Sequence, residues 1–194
     1  MPGHDIIVIG ASAGGVDALR QLAAGLPPDL PAAVFVVVHL PAHGPSVLPK
    51  ILSRAGPLPA VHPQDGQPIR PGTICVAPPD YHLLVERGRL ALSTDEAVQF
   101  ARPSIDVLFE SVADAYGVQA IGIILTGANE DGAAGLARIK ERGGVAIVQE
   151  PATSERRAMP DAALRAAAAD AVLPLEDIGP FLYGLCCAAS EVHA

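Results

Sequence analysis

The chain has 194 residues, of which 50% are hydrophobic, 18% charged and only 4% aromatic, with no Trp. This is a globular composition, long enough for one well-buried core of Val, Ile, Leu and Ala, and it excludes a disordered chain. The formal net charge of −8, with no basic stripe, argues against nucleic acid as a partner; the three cysteines, none in a CxxC pair, argue against a disulfide framework or structural zinc.

Taken in order, Ile6–Gly10 (IIVIG) reads as a first strand and about Gly15–Gly25 as the helix after it. Ala32–Leu40 is a second strand, apolar throughout, as expected of a strand buried on both faces of a parallel sheet. PSVLPKILSRAG is a short helix, and Pro57–Pro71 a long Pro-rich loop. TICVAP, HLLVE and RLAL, the last two flanking Arg87-Gly88, suggest a hairpin added to the sheet. Ser104 caps a helix running to about Tyr116. Gln119–Thr126 is a strand, and Gly132–Arg142 a helix stopped by Gly143-Gly144. VAIVQE, a helix over Ala162–Ala169, the short strand AVLPL and a terminal helix over Asp177–Glu191 complete the alternation. The pattern predicts one α/β domain over residues 1–194: a doubly wound, mostly parallel, Rossmann-like sheet in three layers with a small antiparallel hairpin. No apolar stretch approaches about 20 residues, so no transmembrane helix is expected. With no leader before the first strand, a cytoplasmic protein is expected.

Ligands of such sheets bind at the carboxyl ends of the strands. Ser12 follows the first strand, His39 closes the second, and Asp131 follows IGIILTG at a helix entrance. Gly10-Ala11-Ser12-Ala13-Gly14-Gly15 is not a dinucleotide loop, because Ser12 replaces the middle glycine and no acid ends the second strand. It is not a Walker loop either, because no GK[ST] follows. It does match G-x-S-x-G, the strand-to-helix turn that exposes a serine. Backbone N–H groups at the start of the next helix, including that of Ala13, could stabilise an oxyanion. Singly, Ser12 and Asp131 read as helix N-caps and His39 as a core histidine. Jointly they supply the hydroxyl, imidazole and carboxylate of a catalytic triad on one rim of one sheet.

With those residues in place, the sequence resembles the catalytic domain of the chemotaxis protein-glutamate methylesterases, the CheB family. The likeness runs through VIGASAGGVDAL, VVVHLPAHGPSVLPKILSR, DGQPIRPGTICVAPPDYHLLV, RPSIDVLFESVADAYG, GIILTGANEDGAAGLARIKERGG and QEPATS. The family's triad order is serine, histidine, aspartate, matched here by Ser12, His39 and Asp131. The resemblance implies hydrolysis of glutamate γ-methyl esters on the cytoplasmic domains of methyl-accepting chemotaxis receptors, releasing methanol, with glutamine deamidation in some members. It implies no metal and no cofactor, no insertion into the membrane, and oxyanion donors at Ala13 and in the loop around Ala128. Ala13 stands where many members have threonine, and Ala128-Asn129 where many have methionine-glycine. Typical members carry a receiver domain in front. Its absence here, with Met1 followed directly by Pro2-Gly3-His4, favours a standalone form. Two other functions fit the same residues: a receptor- or partner-binding module on this fold, and a general small-ester hydrolase. Arg102 and His82 read as a solvated arginine and a surface histidine, or else as groups facing the substrate's acidic surroundings. Cys186-Cys187 reads as helix filler.

Overall fold

The apolar runs segregate into strands and amphipathic helices in the computed structural model, which describes residues 5–39 and 46–187. In chain order the strands are β1 (Ile6–Ala11), β2 (Ala33–Val38), β3 (Ala60–Val61), β4 (Ile74–Val76), β5 (His82–Glu86), β6 (Arg89–Ser93), β7 (Ala120–Ile124), β8 (Val145–Gln149) and β9 (Ala171–Leu173). The helices are α1 (Gly15–Gly25), α2 (Leu48–Ala55), α3 (Ile105–Tyr116), α4 (Ala133–Glu141), α5 (Ala158–Ala166) and α6 (Leu175–Cys187). Seven strands form one sheet in the order β3-β4-β2-β1-β7-β8-β9, every pairing parallel.

Alternate residues of the central strands divide between two cores. Ile7, Ile9, Val34, Val36, Ile121 and Ile123 pack with Leu19 and Leu22 of α1, Leu52 of α2 and Ile178 of α6. Ile6, Val8, Phe35, Val37 and Ile124 pack on the other face with Phe109 of α3, Leu136 of α4 and Met159 of α5. Both faces are covered, which is why β1 and β2 are buried at every position. The doubly wound, three-layer α/β architecture expected from the sequence is therefore the one observed. Among the described residues no helix is long and apolar enough to cross a membrane.

Some local expectations are corrected. The hairpin is not added to the sheet: β5 and β6 form a separate antiparallel ribbon, while TICVAP contributes β4 to the main sheet. The ribbon buries Leu83, Val85 and Leu90 in the same core as α3. It is fastened to that helix by the Val85 amide on Ser111 Oγ (3.0 Å) and the Gly88 amide on the Tyr116 hydroxyl (2.9 Å). Its apolar face thus already has a helix to cover it. The Pro-rich stretch is not wholly loop, since Ala60–Val61 pairs with β4. Helix α5 starts earlier than expected, at Ala158, because Pro160 falls in its first turn, where no intrahelical N–H is required. The terminal helix begins at Leu175, and the expected segment beyond Cys187 lies outside the described residues.

Strand order reverses between β1 and β7. To one side the chain runs to β2 and β4, to the other to β8 and β9. The crevice at the carboxyl ends of β1 and β7 is the switch point at which such sheets hold ligands.

Candidate active site

Ser12 leaves the carboxyl end of β1 in a tight turn. Its amide donates to Thr126 O (2.9 Å) and its carbonyl accepts from Gly15 N (2.8 Å). Gly14 takes a left-handed conformation, φ 78°, which glycine adopts without strain. It is Gly14, not Ser12, that occupies the N-cap of α1, with no side-chain cap. The N-cap reading of Ser12 is thereby removed, and its side chain lines a cleft. The turn is tied to the loop after β7 by Thr126, whose hydroxyl donates to Ala13 O and accepts from Arg156 N, both at 2.9 Å. The Thr126 amide in turn donates to buried Gln149 Oε1 at 2.9 Å.

His39 follows β2, and its amide donates to Ala11 O (3.2 Å). Its Nε2 lies 2.8 Å from Asp131 Oδ2. Asp131 is only 1% exposed. Its Oδ1 accepts from Ser104 Oγ (2.9 Å) and the Asp106 amide (3.0 Å), and its Oδ2 also accepts from the Ile105 amide (2.7 Å). Burial alone would raise the Asp131 pKa. Hydrogen bonds from His39, the Asp106 and Ile105 amides and Ser104 more than offset it, holding the carboxyl below its ordinary value. Asp131 is therefore an acceptor only, and His39 Nε2 carries the proton between them. The expected N-cap of α4 is instead Gly132 (φ 95°). Asp131 reaches across to the first amides of α3, where Ser104 is the N-cap as expected. The carboxylate thus sits at the positive end of that helix.

The other nitrogen of His39 faces Asn129. Asn129 Oδ1 accepts from the Asp131 amide (3.3 Å), which turns its NH2 toward His39 Nδ1 at 3.0 Å. Ser12 and His39 share a cleft of about 490 Å³ with Asp80, Phe100, Arg102 and Asn129. His39 and Asp131 are brought into contact; Ser12 faces the same cleft, and no hydrogen bond joins it to His39 among those of the described residues. The amides of Ala13 and Ala128 make no hydrogen bond among the described residues, which leaves both N–H groups available. Ala13 adjoins Ser12. Ala128 lines a neighbouring cleft of about 540 Å³ that shares Gln99, Phe100 and Asn129 with the first.

Arg102 borders the Ser12 cleft. It is held by Thr94 O (3.0 Å) and Asp95 O (3.1 Å) through Nη1 and pairs with Asp80 at 3.6 Å. His82 is neither a surface group nor part of either cleft. It is 2% exposed, accepts the Ser104 amide at Nδ1 (3.2 Å) and donates from Nε2 to Glu96 O (3.1 Å). Its work is to fix the start of α3, against which Asp131 rests. The sequence pointed to no role for Thr126, Gln149 or Asn129, and for Ser104 only to the cap of α3, not to the bond from its hydroxyl to Asp131. Only Asn129 carried a signal, as a departure beside the aspartate. Cys186 is buried and Cys187 partly so, as expected of filler.

The sequence profile of the family described as CheB methylesterase matches residues 7–182. A Leptospira interrogans protein, provisionally named protein-glutamate methylesterase/protein-glutamine glutaminase, is 43% identical over 176 residues, spanning 90% of this chain and 91% of its own. A Moorella thermoacetica protein of the same name is 41% identical over 189 residues, 95% of this chain but 45% of its own length. The chain thus spans about half the length of several relatives. The crystal structure of the Thermotoga maritima CheB methylesterase catalytic domain is similar at TM-score 0.89 and 31% identity, covering 95% of this chain and 100% of that one.

Proposed function

Since the chain belongs to the CheB methylesterase family, we propose that it hydrolyses glutamate γ-methyl esters on the cytoplasmic domains of chemoreceptors and works in the cytoplasm. The observation that carries the catalytic reading is the 2.8 Å contact of His39 with a buried, ionised Asp131 at the rim of a cleft that also holds Ser12. Three groups of complementary chemistry, from the ends of three strands, converge where a parallel sheet binds ligands.

In this reading Ser12 is the nucleophile. Its hydroxyl proton passes to His39 Nδ1, the nitrogen not engaged by Asp131, as Oγ bonds to the ester carbonyl carbon. The carbonyl π electrons move to oxygen, and that oxyanion is met by the N–H of Ala13, with the N–H of Ala128 as second donor. Asp131 stabilises the imidazolium and keeps its orientation. His39 returns the proton to the leaving methoxide, methanol departs, and a glutamyl ester of Ser12 remains. Water activated by the same nitrogen hydrolyses it, restoring Ser12 and a free glutamate. A glutamine side chain would pass through the same acyl-enzyme, releasing ammonia, as the glutaminase half of the relatives' name suggests.

The test is methanol release from methyl-labelled receptor membranes by the wild type and by Ser12→Ala, with folding checked by circular dichroism. Release by the wild type alone is expected. Release that survives the substitution overturns the assignment of Ser12.

A further inference from the structure

We propose that Asn129 is a latch on the general base: its side-chain amide occupies the lone pair of His39 that must accept the Ser12 proton. The inference rests on the esterase reading above and adds a positioning residue to it. A neutral imidazole has one N–H and one lone pair. The N–H is committed, because Nε2 faces Asp131, which is ionised and cannot donate. The lone pair is therefore on Nδ1, and Asn129 Nδ2 lies 3.0 Å from it. The amide is not free to turn the other way, because its oxygen is held by the Asp131 N–H.

Asn129 is not needed to select the tautomer. Asp131 already does so at 2.8 Å, through a carboxylate itself fixed by three donors from the start of α3. What Asn129 adds is competition. While its N–H points at Nδ1, Ser12 Oγ–H cannot donate there, in keeping with the lack of any Ser12–His39 hydrogen bond. The latch must open before proton transfer. Asn129 is exposed and lies on the rim shared by both clefts, so a substrate entering there can displace it. Breaking one ordinary hydrogen bond before each attack slows the step about two- to tenfold.

The experiment uses a neutral alkyl fluorophosphonate, so no receptor is required. Ser12 Oγ forms a bond to phosphorus, the P–F bond breaks, fluoride leaves, and the serine proton goes to His39 Nδ1. The second-order rate of modification is compared for the wild type, Asn129→Leu, which keeps bulk without a donor, and Asn129→Gly, which removes both. Both substitutions should raise the rate about two- to tenfold. In Asn129→Leu, the ¹⁵N resonance of His39 Nδ1 should move toward that of an imidazole nitrogen with no donor. An unchanged or lower rate in both variants overturns the latch, and so does a gain confined to Asn129→Gly, which would make crowding the cause. Ser12→Ala must abolish modification in every background. If it does not, the esterase reading fails, whereas Ser12-dependent modification indifferent to Asn129 removes only the latch.

Discussion

Two carboxylates crowd the start of α3, and the second, Asp106, yields a prediction with a definite sign. Asp106 is 4% exposed. It accepts the Gly135 amide at 2.7 Å and Gln99 Nε2 at 3.0 Å, and its own amide is spent on Asp131. Burial, then the nearby charges of Asp131 and Glu110, push its carboxyl up from 3.8 to about 6, with the Gly135 and Gly132 amides opposing. A raised carboxyl pKa means that the folded state holds a proton the unfolded chain has already lost. The contribution of Asp106 to stability therefore falls as pH rises from about 4 to about 6 and is level above, by roughly 3 kcal/mol in all. Asp106→Asn keeps an oxygen for Gly135 and never ionises. Urea unfolding of both proteins, followed by circular dichroism from pH 4.5 to 8, should show the variant gaining on the wild type by about 2 kcal/mol over that range. Taking the difference cancels every shared group that does not interact with Asp106. A difference that stays constant, or shrinks as pH rises, refutes the reasoning.

Two further substitutions test the frame of the site. Asp131→Asn should lower ester hydrolysis by roughly 10³- to 10⁴-fold. It should also cost about 2–4 kcal/mol of stability, because an amide cannot accept from His39, Ser104 and both α3 amides; rates per folded molecule and urea midpoints separate the two losses. Gly15→Ala would set a Cβ 2.8 Å from Ala11 Cβ and 3.0 Å from Val38 Cγ2, where β1, β2 and α1 meet. It should cost about 1–3 kcal/mol, seen as a lowered thermal midpoint.

What the sequence revealed, and what it withheld, follows from the range of the forces involved. The strands of the main sheet are legible because residues buried on both faces are apolar without interruption, as AVFVVV is. Ser12, His39 and Asp131 are legible because their positions follow from where strands end. Their surroundings are not. Asp131 looks like the cap of the helix that follows it, yet it serves one that begins 26 residues earlier at Ile105, and no local pattern encodes that reach. His82 carries a polar ring in a strand next to a turn, which reads as surface; packing of the ribbon on α3 buries it. The antiparallel pair is legible as two strands, but its place against α3 is not, for the same reason: what covers an apolar face is a matter of tertiary structure. Asn129 and Thr126 act through partners in other loops and leave no spacing to read.

The strand that delivers Ser12 precedes the other described strands in the chain, yet it is enclosed later than β2 and β4. One edge of β1 is met early by β2, where Ile6 pairs with Ala33, but the other waits for β7, where Ile6 pairs with Ala120. Until that stretch is synthesised, IIVIGA presents an apolar, unpaired edge of the kind that templates association with other chains. The Ser12 turn is likewise unfinished, since its amide and the Ala13 carbonyl are satisfied by Thr126. Topology thus links two events: the step that removes the sticky edge is the step that completes the Ser12 turn, so a half-made chain carries the hazard of aggregation with that turn still open.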